Sequence, residues 1–490
     1  MANVSSLKSK TLTNLIWRFF ERAGAQLVGF IVSIILARLL SPEHYGTIAL
    51  VTVITSILNV FVDSGLGNAL IQKKDAGDLD FSTVFIANIL FCFLLYTLLF
   101  FSAPFIAFFY KDEQLTPVIR VLGLTLIFSG LKNIQQAYVS KNLLFKKFFF
   151  ATLTGTIVAA ILGIFFAYRE FGVWALVIQQ VCNVAIDTMI LWIIVPWHPK
   201  VMFSIKSFKN LFSYGWKLLV ASLINTIYID LRQLIIGRVY SPSDLAYYNQ
   251  GNKFPQFIST NINSSIDSVL FPVLSDHQNN IDEIKSMTRR SIKISGYIMW
   301  PLLLGLAAIS KNLVPIVLTD KWTPCIPYFI VGCFAYGLQP LQSANLNAIK
   351  AVGKSDIFLK LEIIKKTIST CIILISMPFG VLAIAIGSFI YSIIATICNS
   401  YPNRKLLHYT YFEQVKDLFP SFILAFGMGI FLFFLPLNFA PIWLRMVLQI
   451  IIGIIFYSFF SYILKYESFF YIKNILYDFI TGKKKNKDKN

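Results

Sequence analysis

The sequence predicts an all-α polytopic membrane protein with about 14 transmembrane helices. Three observations lead to that prediction: a composition poor in charge, a series of long apolar runs, and a duplication within the chain. The 490 residues are 56% hydrophobic and only 14% charged. A soluble domain has about 25% charged residues, so this chain has more apolar surface than one globular core can bury. The surplus requires lipid.

Apolar runs of the length needed to cross a bilayer recur along the whole chain. A spanning helix takes about 20 residues. Short turns with proline or glycine, such as Ser41-Pro42 and Ser241-Pro242, separate many of the runs and stop helices. The predicted spans are residues 13–37, 45–65, 83–109, 116–138, 148–168, 172–195, 212–237, 245–270, 290–315, 324–349, 358–377, 380–400, 418–436 and 441–464.

The gaps between these runs are alternately rich and poor in lysine and arginine. The rich gaps include the pairs at 73–74 and 146–147, and the basic tail at 483–490 belongs with them. By the positive-inside rule, both termini are cytoplasmic and the number of spans is even. The net charge of +19 therefore lies in short loops and in a tail suited to anionic lipid. No nucleic acid is expected as a partner.

Three sequence anchors recur in the same order about 200 residues apart. RLLSP from Arg38 matches RVYSP from Arg238, NVFVDS from Asn59 matches NSSIDS from Asn263, and GLKNIQQA from Gly130 matches GLQPLQSA from Gly337. They indicate a duplicated six-helix unit, with the two copies as parallel repeats. We expect an N-lobe at 1–200 and a C-lobe at 201–405 around a central cavity, two further spans at 406–465, and a basic cytoplasmic tail at 466–490.

Ionisable residues also fall inside the apolar runs, where each Arg, Lys or Asp costs about 2.5–3.5 kcal/mol. They recur on equivalent helices of both copies, and Arg18 and Arg22 are spaced by four, on one helical face. Cations outnumber acids, so a wet, cationic cavity is expected, which suits a phosphate-bearing ligand. The candidate substrate-binding residues are Arg18, Arg22, Arg120, Lys132, Lys217 and Arg232.

Six embedded acids can pair with these cations or take up a coupling ion. They are Glu21, Asp63, Asp187, Asp230, Asp267 and Glu362. Glu21, Asp63 and Asp267 are the ion-coupling candidates, with sodium or a proton as the ion and no other cofactor expected. A structural interpretation stays open: Arg18 and Lys217 can snorkel to the interface, and Asp63 and Asp267 can cap a turn.

Motifs that would indicate catalysis are missing from the sequence. No nucleotide-binding loop, paired carboxylates or nucleophile arrangement occurs. The four histidines and six cysteines show no metal-ligand spacing. We therefore expect a transporter that neither hydrolyses ATP nor acts as an enzyme.

A family resemblance lies in the segments ARLLSPEHYGTIALV at 37–51, FVDSGLGNALIQKKD at 61–75, YYNQGNKFP at 247–255 and FPVLS at 271–275. The chain resembles the polysaccharide-exporting flippases of the multidrug/oligosaccharidyl-lipid/polysaccharide exporter superfamily. The resemblance implies an inner-membrane flippase for a polyprenyl-diphosphate-linked oligosaccharide of O-antigen, capsule or exopolysaccharide, working by alternating access. It implies that Arg18 and Arg22 meet the diphosphate and that residues 418–464 form a groove for the lipid tail. The implied partners are that substrate, the bilayer and glycan polymerases.

Two other functions stay open. A drug or small-cation exporter of the same superfamily would have an acidic or aromatic cavity and fewer spans. A membrane-embedded glycan polymerase or ligase would have a large outer loop with catalytic residues, and this sequence has no gap of that length.

Overall fold

The computed structural model describes residues 24–63, 65–278, 280–437 and 440–481, which are predominantly helical. By packing, the chain divides into two compact units, Met1–Ala246 and Tyr247–Asn490. The division falls inside α10 (Pro242–Asp276).

The first unit packs its helices around an apolar core that contains Leu70, Phe81 and Leu191. Its helices before α10 are α1 (Gly24–Leu39), α2 (Pro42–Asp63), α3 (Leu66–Gln72), α4 (Asp78–Tyr110), α5 (Leu115–Leu122), α6 (Leu124–Lys141), α7 (Phe145–Tyr168), α8 (Val173–Ile194) and α9 (Ile205–Val239). α7 packs along α8, and α6 packs on α2, α4 and α8. α9 follows the predicted repeat boundary at residue 200 but packs on α2, α3 and α4.

The second unit is built around the long helix α11 (Ile281–Leu318). The other helices are α12 (Ile326–Gly337), α13 (Gln339–Ala351), α14 (Ser355–Ser376), α15 (Val381–Ser400), α16 (Asn403–Leu406), α17 (Tyr411–Phe434), α18 (Ile442–Ile463) and α19 (Glu467–Thr481), with 3-10 turns at Asp320–Cys325 and Met377–Phe379. α11 packs against α12, α13, α17 and α18. Trp300, Leu341 and Tyr409 are buried in the core of this unit.

Each predicted apolar run coincides, over its described residues, with one helix or two consecutive helices. Ten helical segments in the described part of the chain are long and apolar enough to cross a membrane, so this is a multi-pass membrane protein. The predicted runs outside those ten are 13–37, described from residue 24, and 245–270, 324–349 and 358–377. The runs 245–270 and 358–377 lie largely in α10 and α14, and the charged and amide side chains of these helices lower their hydropathy. The count of 14 spans stays a prediction.

The helices expose large apolar side chains. Phe93, Phe101, Phe105 and Phe108 of α4 are all exposed. An apolar face of this extent would be an aggregation site in water. In a bilayer it contacts acyl chains, while the backbone hydrogen bonds are satisfied within the helix.

Local sequence sets where several helices begin. Pro42 and Pro242 are the first residues of α2 and α10, where a missing N–H breaks no helical hydrogen bond. α17 begins with a capping box. The Thr410 hydroxyl accepts from the Glu413 N–H at 3.3 Å, and the Glu413 carboxylate accepts from the Thr410 N–H at 2.7 Å.

α2 and α9 run antiparallel and contact each other closely in the first unit. A methyl group placed on Gly46 would have its carbon 1.8 Å from the Pro242 carbonyl oxygen. Further along α2, Ser56 Oγ donates to Asp230 Oδ2 of α9 at 2.6 Å. The first turn of α2 therefore packs against the start of α10, so the two copies of the repeated Ser-Pro turn are neighbours.

A buried amide cluster joins α13, α16 and α17 in the second unit. Asn345 Nδ2 donates to Gln414 Oε1 at 2.7 Å, and Gln414 Nε2 donates back to Asn345 Oδ1 at 3.1 Å. Asn403 Nδ2 also donates to Asn345 Oδ1, at 2.6 Å. All three side chains are fully buried, so the bonds fix the rotation of these helices against one another.

Candidate functional site

Lys132 on α6 and Asp187 on α8 form an ion pair inside the first unit. The distance from Lys132 Nζ to Asp187 Oδ2 is 3.1 Å, and the side chains are 18% and 8% exposed. The second oxygen, Asp187 Oδ1, is buried and accepts no hydrogen bond from the described residues. A buried carboxylate is stable only when it is paired. Lys132 is therefore the group that compensates the charge of Asp187.

The helices around this pair hold it in a fixed position. Trp192 Nε1 donates to the Leu131 carbonyl at 3.2 Å, and Thr188 Oγ1 donates to the Phe128 carbonyl at 3.2 Å. On the α7 side, a methyl carbon on Gly155 would lie 3.1 Å from the Asp187 backbone nitrogen. Glycine lets α7 approach α8 here, so three helices determine where the carboxylate lies.

Asp63, at the end of α2, belongs to the same group. Its Oδ1 accepts a hydrogen bond from Asn133 Nδ2 at 2.9 Å, and its charge interacts with that of Lys132. Asp63 is exposed, whereas Asp187 is buried. The structure thus brings together one predicted substrate-binding cation, Lys132, one predicted ion-coupling acid, Asp63, and the acid Asp187.

The repeated aspartate of the second unit has a similar partner. Asp267 of α10 accepts a hydrogen bond at Oδ1 from Asn347 Nδ2 of α13 at 2.7 Å. The third sequence anchor lies in α6 and, in its second copy, begins at the end of α12 and continues into α13. An asparagine within or just after each copy therefore donates to a repeated aspartate. Asn133 and Asn347 occupy different positions within the repeat, which is why the sequence pattern did not identify them.

The remaining predicted residues lie apart from this group or outside the described residues. The Arg120 guanidinium stacks 4.2 Å from the centre of the Phe100 ring, and its Nε donates to the Phe100 carbonyl at 3.3 Å. Lys217 on α9 is exposed and forms no ion pair with a described acid, and Arg232 on α9 is half-buried. Arg18, Glu21 and Arg22 lie outside the described residues, so their roles stay predictions.

An apolar groove of about 510 Å³ lies in the second unit, largely between α11, α17 and α18. Its lining includes Pro301, Leu302, Leu306, Met428, Ile450 and Ile454. The polar residue Gln449 is also part of the lining, but its side chain is satisfied. It accepts from Asn312 Nδ2 at 2.8 Å and donates to the Leu432 carbonyl at 2.9 Å. The groove overlaps the range 418–464 that the resemblance assigns to a lipid tail.

A second, polar cavity of about 360 Å³ lies between α11, α17 and the start of α19. Arg289 Nε contacts Asp417 Oδ2 at 2.7 Å, and Lys293 Nζ contacts Glu467 Oε2 at 3.0 Å. The Tyr409 hydroxyl donates to Asp417 at 2.8 Å. Burial, reinforced by the bond to Asp417, raises the pKa of Tyr409 above its ordinary value. The Lys293–Glu467 contact joins α19 to α11, and the Arg289–Asp417 contact joins α11 to α17.

Within the described ranges, no three His, Cys, Asp or Glu side chains converge on a point where they could hold a metal ion. The Lys132 group has two carboxylates and an ammonium, which can exchange charge partners or protons but do not form a cage of oxygen ligands.

Comparison with known proteins relates the chain to glycan biosynthesis. A family model described as "polysaccharide biosynthesis protein" matches residues 35–327. The chain is 26% identical over 401 residues to the teichuronic acid biosynthesis protein TuaB of Bacillus subtilis strain 168, covering 78% of this chain and 80% of that protein. It is 22% identical over 442 residues to the lipopolysaccharide biosynthesis protein WzxC of Escherichia coli K12, covering 87% and 89%.

The fold is similar to that of a solved membrane protein. The lipid II flippase MurJ, in an inward closed conformation, superposes with a TM-score of 0.75 and covers 92% of this chain and 98% of its own. The two sequences are 15% identical, so this likeness shows a common fold.

Proposed function

Because the chain belongs to the polysaccharide biosynthesis protein family, we propose that it is a flippase for a polyprenyl-diphosphate-linked oligosaccharide. The oligosaccharide is the unit of an O-antigen, capsule or exopolysaccharide, and it crosses the cytoplasmic membrane by alternating access. The observation on which this depends is the fold shared with MurJ over 92% of the chain. The family model supports a role in polysaccharide biosynthesis, and the fold is shared with a protein named as a lipid II flippase.

The ligand has parts with opposite solvation needs, and the chain has features suited to each. A diphosphate needs cations, and Lys132, with Arg18, Arg22, Arg120, Lys217 and Arg232 as the further candidates, supplies them. A polyprenyl tail needs apolar surface, and the groove beside α17 and α18 supplies it. A small hydrophilic drug would need no such groove.

In this proposal the predicted halves, 1–200 and 201–405, are the lobes that open alternately, and spans 13 and 14 at 406–465 hold the tail. Both termini are cytoplasmic, so the basic tail from 466 faces anionic lipid. Glu21, Asp63 and Asp267 stay the candidates for coupling transport to sodium or a proton. Glycan polymerases that use the translocated unit are the proposed protein partners.

Transport of a labelled lipid-linked oligosaccharide into proteoliposomes tests the function. We expect the wild type to move the label and Lys132→Met to slow it about tenfold or more, because a hydrogen bond to a charged group contributes about 1.5–3 kcal/mol. Lys200→Gln is the matched control, since it removes a lysine from an exposed pair with Asp78.

One outcome contradicts the proposed function and another contradicts the role of Lys132 in it. In one, the wild type leaves the lipid-linked sugar unmoved but exports a cationic dye, which supports the drug exporter. In the other, Lys132→Met and Lys200→Gln transport at the wild-type rate, which removes Lys132 from the substrate path.

A further inference from the structure

We propose that Asp187 is a proton-binding group and that Lys132 exchanges partners between Asp187 and a phosphate oxygen of the ligand. The proposal rests on the proposed function, because it needs a phosphate to reach Lys132. When the phosphate pairs with the Lys132 ammonium, the Asp187 carboxylate loses its counter-ion and takes up one proton from water. When the phosphate leaves, Asp187 releases that proton and pairs with Lys132 again.

The asymmetry of the Asp187 carboxylate is the first evidence. Oδ2 contacts Lys132 Nζ at 3.1 Å, while Oδ1 is buried and accepts no hydrogen bond from the described residues. A buried oxygen without a hydrogen bond raises the free energy of the charged carboxylate. In the neutral acid, the same oxygen can carry the proton. The charged form of Asp187 therefore depends on one neighbour, and removing that neighbour favours protonation.

The exposure of the two partners is the second evidence. The Lys132 side chain is 18% exposed and that of Asp187 only 8%, so the lysine is the more accessible of the two. The charge of Lys132 also interacts with that of Asp63, whose side chain is exposed. A phosphate that enters this part of the first unit therefore has better access to Lys132 than to Asp187.

Other charged groups on the helices packed against α8 are occupied elsewhere or distant. These helices are α2, α5, α6 and α7. Their charged side chains, apart from Lys132 and Asp63, are Glu43, Arg120, Lys141, Lys146 and Lys147. Arg120 stacks on Phe100, Lys141 donates to the Lys73 carbonyl at 2.5 Å, and Lys147 donates to the Ile194 carbonyl at 2.6 Å. Lys146 lies over the Phe150 ring, and Glu43 is at the far end of α2 from Asp63.

The chemistry of the group favours a proton over a metal ion. A hard cation takes several oxygen ligands, and no cluster of three acids, histidines or cysteines exists in the described residues. The Lys132 ammonium already occupies the space beside Oδ2 and repels a second cation. A proton needs only the unoccupied lone pair of Oδ1.

Calorimetric titration with inorganic diphosphate tests the exchange on the full-length protein in detergent. Titrations at one neutral pH in two buffers of different ionisation enthalpy give the number of protons taken up per diphosphate bound. Relative to the wild type, Asp187→Asn should take up one proton fewer and bind diphosphate at least as tightly, because Lys132 is then always available. Lys132→Met should weaken binding about tenfold or more.

Asp230→Asn is the control for removing a buried carboxylate. Asp230 is similarly buried, but both its oxygens accept hydrogen bonds, from Ser56 at 2.6 Å and Gln233 at 3.3 Å. Its proton count should equal that of the wild type. Subtracting the proton uptake of a variant from that of the wild type also cancels the protons that the diphosphate itself gains or loses on binding.

The double variant Lys132→Gln with Asp187→Asn removes both buried charges together, so it avoids the lone charge that can unfold a single variant. It should bind weakly and take up one proton fewer. Unchanged proton uptake in Asp187→Asn, or wild-type affinity in Lys132→Met or the double variant, overturns the proposal. Absence of diphosphate binding by the wild type also overturns it, while transport of the lipid-linked sugar in proteoliposomes tests the flippase function separately.

Discussion

Replacing Gly46 by alanine tests the close packing of α2 against the start of α10. The added carbon would lie 1.8 Å from the Pro242 carbonyl oxygen and 2.7 Å from its Cα. An ordinary contact is about 3.5 Å, so the two segments must separate by roughly 1.7 Å. The obstructing atoms belong to the backbone, and no side-chain rotation relieves the clash. The helices themselves must therefore move.

The expected loss of stability in Gly46→Ala can be estimated by comparison with a glycine at which a Cβ meets no other atom. Gly29 in α1 has no atom within 4 Å of the position of a Cβ, so Gly29→Ala receives only the helix-forming advantage of alanine, about 0.5–1 kcal/mol. Gly46→Ala receives the same advantage and the overpacking penalty, about 1–3 kcal/mol. The difference between the two variants isolates the steric penalty, because the change in the unfolded chain is the same.

The assay is thermal unfolding of the purified protein in detergent, followed by size-exclusion chromatography of heated samples. For a unit of this size, 1 kcal/mol shifts the melting temperature by about 2–4 °C. Gly46→Ala should therefore melt about 2–12 °C below Gly29→Ala. A melting temperature equal to or above that of Gly29→Ala would refute the close approach of the repeated turns.

Two further predictions concern substitutions in the second unit, and a substitution in the first unit serves as the comparison for one of them. Gln414→Leu should lower the free energy of unfolding by about 1–3 kcal/mol, because it removes two buried hydrogen bonds between the Gln414 and Asn345 amides. Lys200→Gln, which breaks an exposed ion pair, should change the free energy of unfolding by less than about 1 kcal/mol in the same melting assay. Lys293→Gln removes the 3.0 Å contact with Glu467, so limited proteolysis should cut α19 faster than in the wild type. Equal cleavage rates would mean that other contacts hold this helix.

The apolar runs were predictable because hydropathy distinguishes a segment that contacts lipid from one that contacts water. The run predicted at 172–195 became α8, Val173–Ile194. Breaks inside runs were not predictable from hydropathy. The run at 116–138 divides at Gly123 into α5 and α6, and the run at 324–349 divides at Leu338 into α12 and α13. These breaks lie in apolar surroundings and depend on how neighbouring helices pack.

The candidate site was predictable by residue type but not by partner. Lys132 was identified as an embedded cation, and Asp187 as one of six embedded acids. Which acid faces which cation depends on helix rotation, which a single sequence does not determine. A signal for Asp187 existed: it is the one acid in the run at 172–195 and lies well inside it. The fully buried Asn345 and Gln414 gave no comparable signal, because asparagine and glutamine are equally common on wet helix faces.

The two aspartates of the repeated sequence anchor have similar hydrogen-bond partners. Asp63 accepts from Asn133 and Asp267 from Asn347, yet the position that matches Asn133 in the third anchor is Pro340. The amide donors therefore stand at different positions relative to the anchor, although each aspartate accepts from one. An amide satisfies one carboxylate oxygen without neutralising the charge, whereas a lysine would cancel it. In the first unit the charge of Asp63 also interacts with that of Lys132, so two consecutive residues of α6, Lys132 and Asn133, both act on this aspartate.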